Sequence, residues 1–376
     1  MSSIPPNNIL ILLPDLHGGG AERLHVLLAK HWHIQGIKVE FALMQQRGAL
    51  LSLLPNDIGI IDLGANRMRG GILPLARYLK KARPDIVLAA MWPLTSAAVL
   101  SWRLAGKPGR LYLSDHVQLS ISCLQELKLS PWLLAAVMRL TYPSASGVIA
   151  VSEGVKKDMC RLGRFAESQV RVIYNPAATG VSTQPEMESV RKDLWGVGFD
   201  HHILSVGTLK VQKDHATLIR AFAFLPTSLN AKLTILGEGA LRAELEALVQ
   251  QLGLQGRVAM PGFVVDTYPW YRSADLFVLS SRWEGFGNVI VEALECGVPV
   301  VSTDCQSGPA EILENGRIGR LVPIEDPLAL AACMAKALTE PVDREMLRRR
   351  ARDFSVSEIA DQYLEYFDLN EGKKCP

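Results

Sequence analysis

The chain has 376 residues, 48% of them hydrophobic and 21% charged, with a formal net charge of +2. That composition excludes a disordered chain, and the length suits two domains with separate cores. The small net charge hides an asymmetry, since residues 1–180 carry a balance of +9 and residues 181–376 one of −7. A basic first half points to an anionic partner, such as a lipid phosphate or a membrane surface, with scatter over a solvated surface as the plain alternative.

Six cysteines (Cys123, Cys160, Cys296, Cys305, Cys333 and Cys375) lie far apart, with no zinc or redox spacing. This fits a reducing, cytoplasmic setting. Ile9–Leu13 is too short for a signal peptide and stops at Pro14-Asp15.

In chain order, the first half alternates apolar runs with helical patterns. Strands are predicted at Asn8–Leu13, Val39–Met44, Ile58–Leu63, Asp85–Met91, Arg110–Ser114, Gly147–Val151 and Val170–Tyr174, with helices such as Ala21–His33 and Leu73–Ala82 between them. Runs apolar on both faces, alternating with helices, specify a parallel sheet covered on both sides. Ile86–Trp102 is an uncharged stretch of 17 residues, but Pro93, Thr95 and Ser96 interrupt it. It reads as strand, turn and helix rather than as a membrane span.

Asn175-Pro176 and the aperiodic stretch Thr179–Ser189 mark a linker. The alternation then restarts at His202–Val206, Lys232–Leu236, Val258–Pro261, Leu276–Ser280, Val298–Thr303 and Gly319–Pro323. Pro341–Leu369 reads as helix, with Tyr363, Tyr366 and Phe367 as a core-packing stripe and Arg348, Arg349, Arg350 and Arg352 as a solvated face. The predicted division is residues 1–178 as a first domain and 179–355 as a second. Residues 356–376 form a helix packing back on the first. Both domains are α/β, doubly wound and Rossmann-like, and two such sheets facing across a cleft would hold the active site there.

Glu284-Gly285-Phe286-Gly287-Asn288 through Glu292 follows an apolar strand and opens a helix. The amides of Phe286, Gly287 and Asn288 would meet an anion such as a diphosphate at the helix start. Glu292, one turn in, can reach back to vicinal ribose hydroxyls, and Glu284 to a sugar. The plain alternative is a pair of capping glutamates. Gly207-Thr208-Leu209-Lys210-Val211-Gln212-Lys213 follows the strand that opens the second half, and Lys213, with Lys210 in reserve, offers a charge for phosphate or is a surface lysine. Gly18-Gly19-Gly20 ends the first strand and would approach a sugar or phosphate, or is a tight turn. It lacks the dinucleotide spacing. His116, at a strand's carboxyl end, is a candidate for hydrogen bonding or proton transfer at the sugar, against the bland reading of a lone histidine. No D-x-D, HExxH or nucleophile-elbow motif occurs, so no metal site is expected, and aromatic and basic residues are not interleaved as a nucleic-acid surface would require.

Together these motifs resemble the family 4 retaining glycosyltransferases of GT-B fold, of the bacterial surface-polysaccharide type. The likeness runs from Val172-Ile173-Tyr174-Asn175-Pro176 through Gly237-Glu238-Gly239 and the complete Glu-x7-Glu pair to Ser307-Gly308-Pro309-Ala310-Glu311-Ile312-Leu313. Val151-Ser152-Glu153-Gly154-Val155 and the glycine loop, with Gly19 and Gly20, extend it over the first half. The resemblance implies a hexose or N-acetylhexosamine transferred from a nucleotide-diphosphate sugar to a saccharide or lipid-linked oligosaccharide, without metal or cofactor. UDP is the nucleotide expected by family frequency. It implies that Phe286, Gly287 and Asn288 hold sugar and diphosphate. Glu292 would take the ribose, Glu284 the donor sugar and Lys213 the leaving diphosphate. His116 would stand near the reaction centre, and Gly262 and Phe263 near the base. Thr208 stands where the family often has arginine. Other readings are a sugar-nucleotide epimerase, a dinucleotide-dependent oxidoreductase and a non-catalytic sugar-binding protein. Cys123–Tyr142 reads either as a packed helix of the first domain, the reading favoured, or as an amphipathic helix in peripheral contact with the inner membrane.

Overall fold

The computed structural model describes residues 8–125, 130–180 and 188–369. The chain divides into two compact units: one runs to Pro176 and resumes at Val356, and the other is Ala177–Ser355.

The first unit is built on β1 (Asn8–Leu13), β2 (Lys38–Leu43), β3 (Gly59–Asp62), β4 (Ile86–Ala90), β5 (Arg110–Asp115), β6 (Gly147–Ala150) and β7 (Val170–Val172). They form one parallel sheet in the order β3-β2-β1-β4-β5-β6-β7. Ile9 to Leu13 are fully buried, as a central strand covered on both faces requires. The Gly20–Ile34 helix buries Leu24, Leu28 and Trp32 against this sheet's core. Ile86–Trp102 is strand β4, a Met91–Pro93 turn and the start of the Leu94–Leu104 helix. Among the described residues no helix is long and apolar enough to cross a membrane.

The second unit carries β8 (His201–Val206), β9 (Ala231–Leu236), β10 (Val258–Gly262), β11 (Leu276–Leu279), β12 (Val300–Thr303) and β13 (Arg320–Val322). They form a parallel sheet in the order β10-β9-β8-β11-β12-β13. Each unit therefore has one point where strand order reverses: between β1 and β4, and between β8 and β11. In doubly wound sheets, ligands bind outside the carboxyl ends of the strands at this point.

Several sequence expectations shift. The first unit ends at Pro176 rather than at 178, because the Ala178 amide donates to the Phe354 carbonyl at 3.0 Å and so joins the second unit. The stretch predicted as a linker is anchored where it begins: Thr179 and Gly180 amides donate to the Glu295 carboxylate at 3.2 and 2.7 Å. Its residues 181–187 lie outside the described residues. The single C-terminal helix is two, Arg344–Arg352 and Val356–Leu369. Phe354 packs against Phe286 in the second unit, whereas Tyr363 and Phe367 pack on Trp32 in the first. The arginine face is only partly solvated. Arg349 and Arg352 are exposed, but Arg350 donates to the Ile312 and Glu311 carbonyls at 2.9 and 2.8 Å, closing the end of the Pro309–Ile312 helix. The Cys123–Tyr142 segment is likewise not one helix. It comprises the end of Leu119–Gln125 and the whole of Pro131–Thr141, while residues 126–129 lie outside the described set. Cys123, Cys160, Cys296, Cys305 and Cys333 are free thiols, and Cys375 is outside the described residues.

Candidate active site

The reversal point of the second sheet brings two of the predicted residues together. The loop after β8 carries Lys213, and the loop after β11 carries Glu284. Lys213 Nζ donates to Glu284 Oε1 at 2.5 Å, and Ser281 Oγ donates to the same oxygen at 2.6 Å. Both side chains are largely withdrawn from solvent, at 16% and 8% exposure. The two loops are stitched along their length. Arg282 N donates to the Gln212 carbonyl, Gln212 Nε2 to the Trp283 carbonyl and Ser280 Oγ to the Lys213 carbonyl, all at 2.8 to 2.9 Å. Arg282 also pairs with Asp214, whose side chain caps the His215–Ala223 helix. The chemistry of the two predicted residues is thus one ion pair, held rigidly at the place where a ligand is expected.

From Glu284 the chain runs to the Asn288–Glu295 helix. Its N-cap is Gly287, with φ of +105° and no side chain to occupy the amide donors at the helix start. This is the arrangement that accepts an anion. Phe286 is 2% exposed and its ring meets Phe354 at 5.3 Å, so it can serve a ligand only through its backbone. The loop rests on the Ser307–Leu313 segment. A Cβ at Gly308, where φ is +86°, would lie 1.8 Å from the Phe286 carbonyl oxygen. Glycine is therefore required there for the Glu284–Gly287 backbone to lie down at all. Trp283 bridges Gln306 in parallel alongside.

Glu292 lies one turn into the helix, and Tyr271 Oη donates to its Oε2 at 2.9 Å. Burial first, then the Glu292 charge, pushes the Tyr271 hydroxyl well above its usual range, so it stays a donor. Neighbouring Glu295, by contrast, is occupied with Tyr268 and the Thr179–Gly180 backbone, a structural duty. Gly262 ends β10 and passes its carbonyl to Gly237 N at 2.8 Å. Phe263 is 74% exposed, available to stack on a flat ring. Thr208 is exposed, and Lys210 sits half-buried on the same loop. No arginine follows Gly207, so Lys210 and Lys213 are the cations this loop supplies.

In the first unit, the glycine loop leads from β1 to the Gly20–Ile34 helix with Gly19 as N-cap. Its surroundings are acidic. A Cβ at Gly19 would lie 2.2 Å from Glu22 Oε2, so the Glu22 carboxylate covers the helix start. Burial raises the Glu22 pKa, with Asp15 adding to it. A sugar hydroxyl finds an acceptor there; a phosphate would meet a like charge. His116 follows β5, with Ser114 Oγ and its Nε2 3.1 Å apart. Burial drives its pKa well below the ordinary value, His25 nearby adds to this, and Asn175 opposes it. It acts as a neutral imidazole, a hydrogen-bonding group rather than a cation.

The sequence did not single out three residues that frame these groups: Tyr271, Ser281 and His25. Aromatic and hydroxyl residues at these spacings look like ordinary core, and only the fold aims them. Asp115 is a fourth. Its Oδ1 accepts from Trp92 N at 3.1 Å and its Oδ2 from Tyr142 Oη at 2.6 Å, and burial lifts its pKa to about 6. Among the described residues no cluster of three or more His, Cys, Asp or Glu could hold a metal ion.

Residues 18–180 match the family described as Glycosyltransferase Family 4, and residues 198–354 the one described as Glycosyl transferases group 1. Together these matches span most of the chain. It belongs to the family 4 glycosyltransferases. The chain of this family member is 36% identical over 92% of its length to the lipopolysaccharide core biosynthesis glycosyltransferase LpsE of Rhizobium meliloti, covering 95% of that protein. It is 32% identical over 61% of its length to the N-acetylgalactosamine-N,N'-diacetylbacillosaminyl-diphospho-undecaprenol 4-alpha-N-acetylgalactosaminyltransferase of Campylobacter jejuni. That second match spans 62% of the Campylobacter protein. Among solved structures, Anabaena Alr3699/HepE in complex with UDP and glucose superposes with a TM-score of 0.80 at 23% identity, covering 95% of this chain and 98% of that one. The family 4 chain thus shares the GT-B fold, two Rossmann-like α/β domains. The Rhizobium and Campylobacter relatives are transferases and lend no support to the epimerase reading.

Proposed function

We propose that the protein transfers a hexose or N-acetylhexosamine from a UDP-sugar to a saccharide or lipid-linked oligosaccharide in the building of a surface polysaccharide, with retention at the anomeric carbon and without a metal. The observation that carries this is the Lys213–Glu284 pair beside the helix start at Gly287, an N-cap with no side chain. Together they provide a cation and backbone amides for a diphosphate and a carboxylate for the sugar attached to it. Lys213 and the amides of Phe286, Gly287 and Asn288 stabilise the charge that grows on the departing diphosphate. Glu292, oriented by Tyr271, takes the ribose hydroxyls, and Phe263 with Gly262 flanks the base. The C1–O bond to phosphate breaks, and the acceptor oxygen bonds C1 on the same face. The acceptor proton passes to a phosphate oxygen, so no protein base is required. His116, neutral, donates a hydrogen bond to the transferring sugar. Gly19 and Gly20, under the Glu22 carboxylate, suit a sugar hydroxyl better than a phosphate. UDP as the donor nucleotide and a lipid-linked acceptor are supported by the ligand of the Anabaena structure and the substrate named for the Campylobacter relative.

The test is a panel of nucleotide sugars in excess chelator. One UDP-sugar at a hundred times its Kd should add about 2.7 kcal/mol to stability, read as a rise in Tm. Adding Mg2+ or Mn2+ should change neither this nor the rate of transfer. A strict requirement for either ion would overturn metal independence, and NMR of the product reads its anomeric configuration.

The membrane contact we assign to the first unit's Pro131–Thr141 helix. Trp132 and Leu140 are each 72% exposed there. The Leu94–Leu104 helix adjoins it, with Arg103 donating to the Leu140 carbonyl at 2.9 Å, and adds exposed Leu100 and Leu104. Neither helix contains an acidic residue, while Arg103, Arg139 and nearby Lys107 are cationic. Apolar anchors among basic groups suit an anionic lipid surface. The protein should co-sediment with phosphatidylglycerol-containing vesicles but weakly with phosphatidylcholine alone. The double change Trp132→Ser, Leu140→Glu should remove binding and leave transfer to a soluble acceptor intact. Undiminished binding of this variant would remove the assignment.

A further inference from the structure

His25 lies one turn and a half into the helix that begins at the glycine loop, and it is completely buried. Its Nδ1 lies 2.7 Å from the Ala21 carbonyl, which can only accept. That bond fixes the tautomer: Nδ1 carries the proton and Nε2 is a lone pair. Burial lowers its pKa to about 4, which keeps the ring neutral near pH 7. Nε2 is buried with no hydrogen-bond partner among the described residues. An open acceptor in a core costs about 1–3 kcal/mol, and a leucine of similar size would fill the place without that cost. The ring next to it is His116, with centroids 5.3 Å apart and planes at 74°. His116 is therefore restrained by Ser114 at Nε2, by Asn175 and by the His25 ring.

We propose that His25 is a positioning residue for His116: its locked, uncharged ring holds the His116 imidazole in one orientation and one neutral tautomer, so that a single edge of it serves the sugar. This rests on the role given to His116 above. It ties the glycine-loop helix to the end of β5 inside the first unit.

Two variants of the full chain test it. His25→Phe keeps the ring and its edge-to-face contact but loses both nitrogens. His25→Gln loses the ring and keeps polar atoms near the Nε2 position. With the UDP-sugar that stabilises the wild type, His25→Phe should lower kcat about tenfold or more, with donor KM within about twofold, the signature of misplacement rather than lost binding. His25→Gln should recover part of kcat. Imidazole 1H–15N spectra should show His116 as one neutral tautomer in the wild type and as a mixture in His25→Phe. Wild-type kcat with an unchanged His116 spectrum in His25→Phe would overturn the proposal. So would a His25→Gln variant that melts normally yet is no better than His25→Phe. If the wild type transfers no sugar at all, the function above fails, and the His116 spectra still decide the positioning role.

Discussion

Lys213→Ala should reduce sugar transfer by about a hundredfold to a thousandfold, the scale seen when one preorganised stabiliser of a developing oxyanion is removed. It should also destabilise the second unit. The substitution leaves Glu284, at 8% side-chain exposure, without its counter-ion and dependent on Ser281 alone. Removing one partner of a buried pair costs about 3–5 kcal/mol, and the 16% exposure of Lys213 places this pair toward or somewhat below the low end. Glu284→Gln should lose activity comparably but melt closer to wild type, because the charge it leaves unpaired, Lys213, is the more exposed partner and can still donate to the amide oxygen. The pair Lys213→Met with Glu284→Gln then separates the two effects: stability returns, activity does not. Steady-state kinetics and thermal melts on the three variants check this. A Lys213→Ala protein with near wild-type kcat/KM would remove the pair from the chemistry.

Gly308→Ala should be nearly as damaging although it touches no proposed ligand atom. The added methyl would fall 1.8 Å from the Phe286 carbonyl oxygen, and φ of +86° is strained for any side chain. One of the two segments must move by more than an ångström. The expected cost is about 3 kcal/mol, combining backbone strain with overpacking. The segment displaced is the Glu284–Gly287 loop, so transfer should fall about a hundredfold and the stabilisation by a nucleotide sugar should shrink with it. Thermal melts with and without the sugar nucleotide measure both. A variant that loses stability but keeps full donor stabilisation would show that the Ser307–Leu313 segment supports the fold without shaping the loop.

The two expectations share a cause. A parallel doubly wound sheet leaves a crevice where its strand order reverses, and the loops that flank it come from strands β8 and β11, which are adjacent in space and far apart in sequence. The motif Ser307–Leu313 is the floor of one of those loops. Val151–Val155 has a different use, since Ser152 accepts from Val155 N at 3.1 Å and caps the Glu153–Gly163 helix. A motif can therefore belong to a family because it builds a site or because it starts a helix, and only contacts tell which.

What the sequence determined by itself is the part of the protein written in local periodicity. Every described strand falls on a predicted apolar run, often to within a residue or two, because strands buried on both faces must be apolar throughout and glycine, proline and polar turns must separate them. The strand-loop-helix context of Glu284 to Glu292 was legible for the same reason, as was the strand end that carries His116. Tertiary structure alone decided who meets whom. Nothing local says that Lys213 and Glu284 neutralise each other, that Tyr271 steadies Glu292, or that the helix after the glycine loop delivers His25 to His116. It also decided that the C-terminal helix breaks at Asp353–Ser355, because Phe354 and Tyr363 have cores in different units to fill. Such partners are joined by chain crossovers, and a side chain's charge state and exposure depend on neighbours that no stretch of adjacent residues can name.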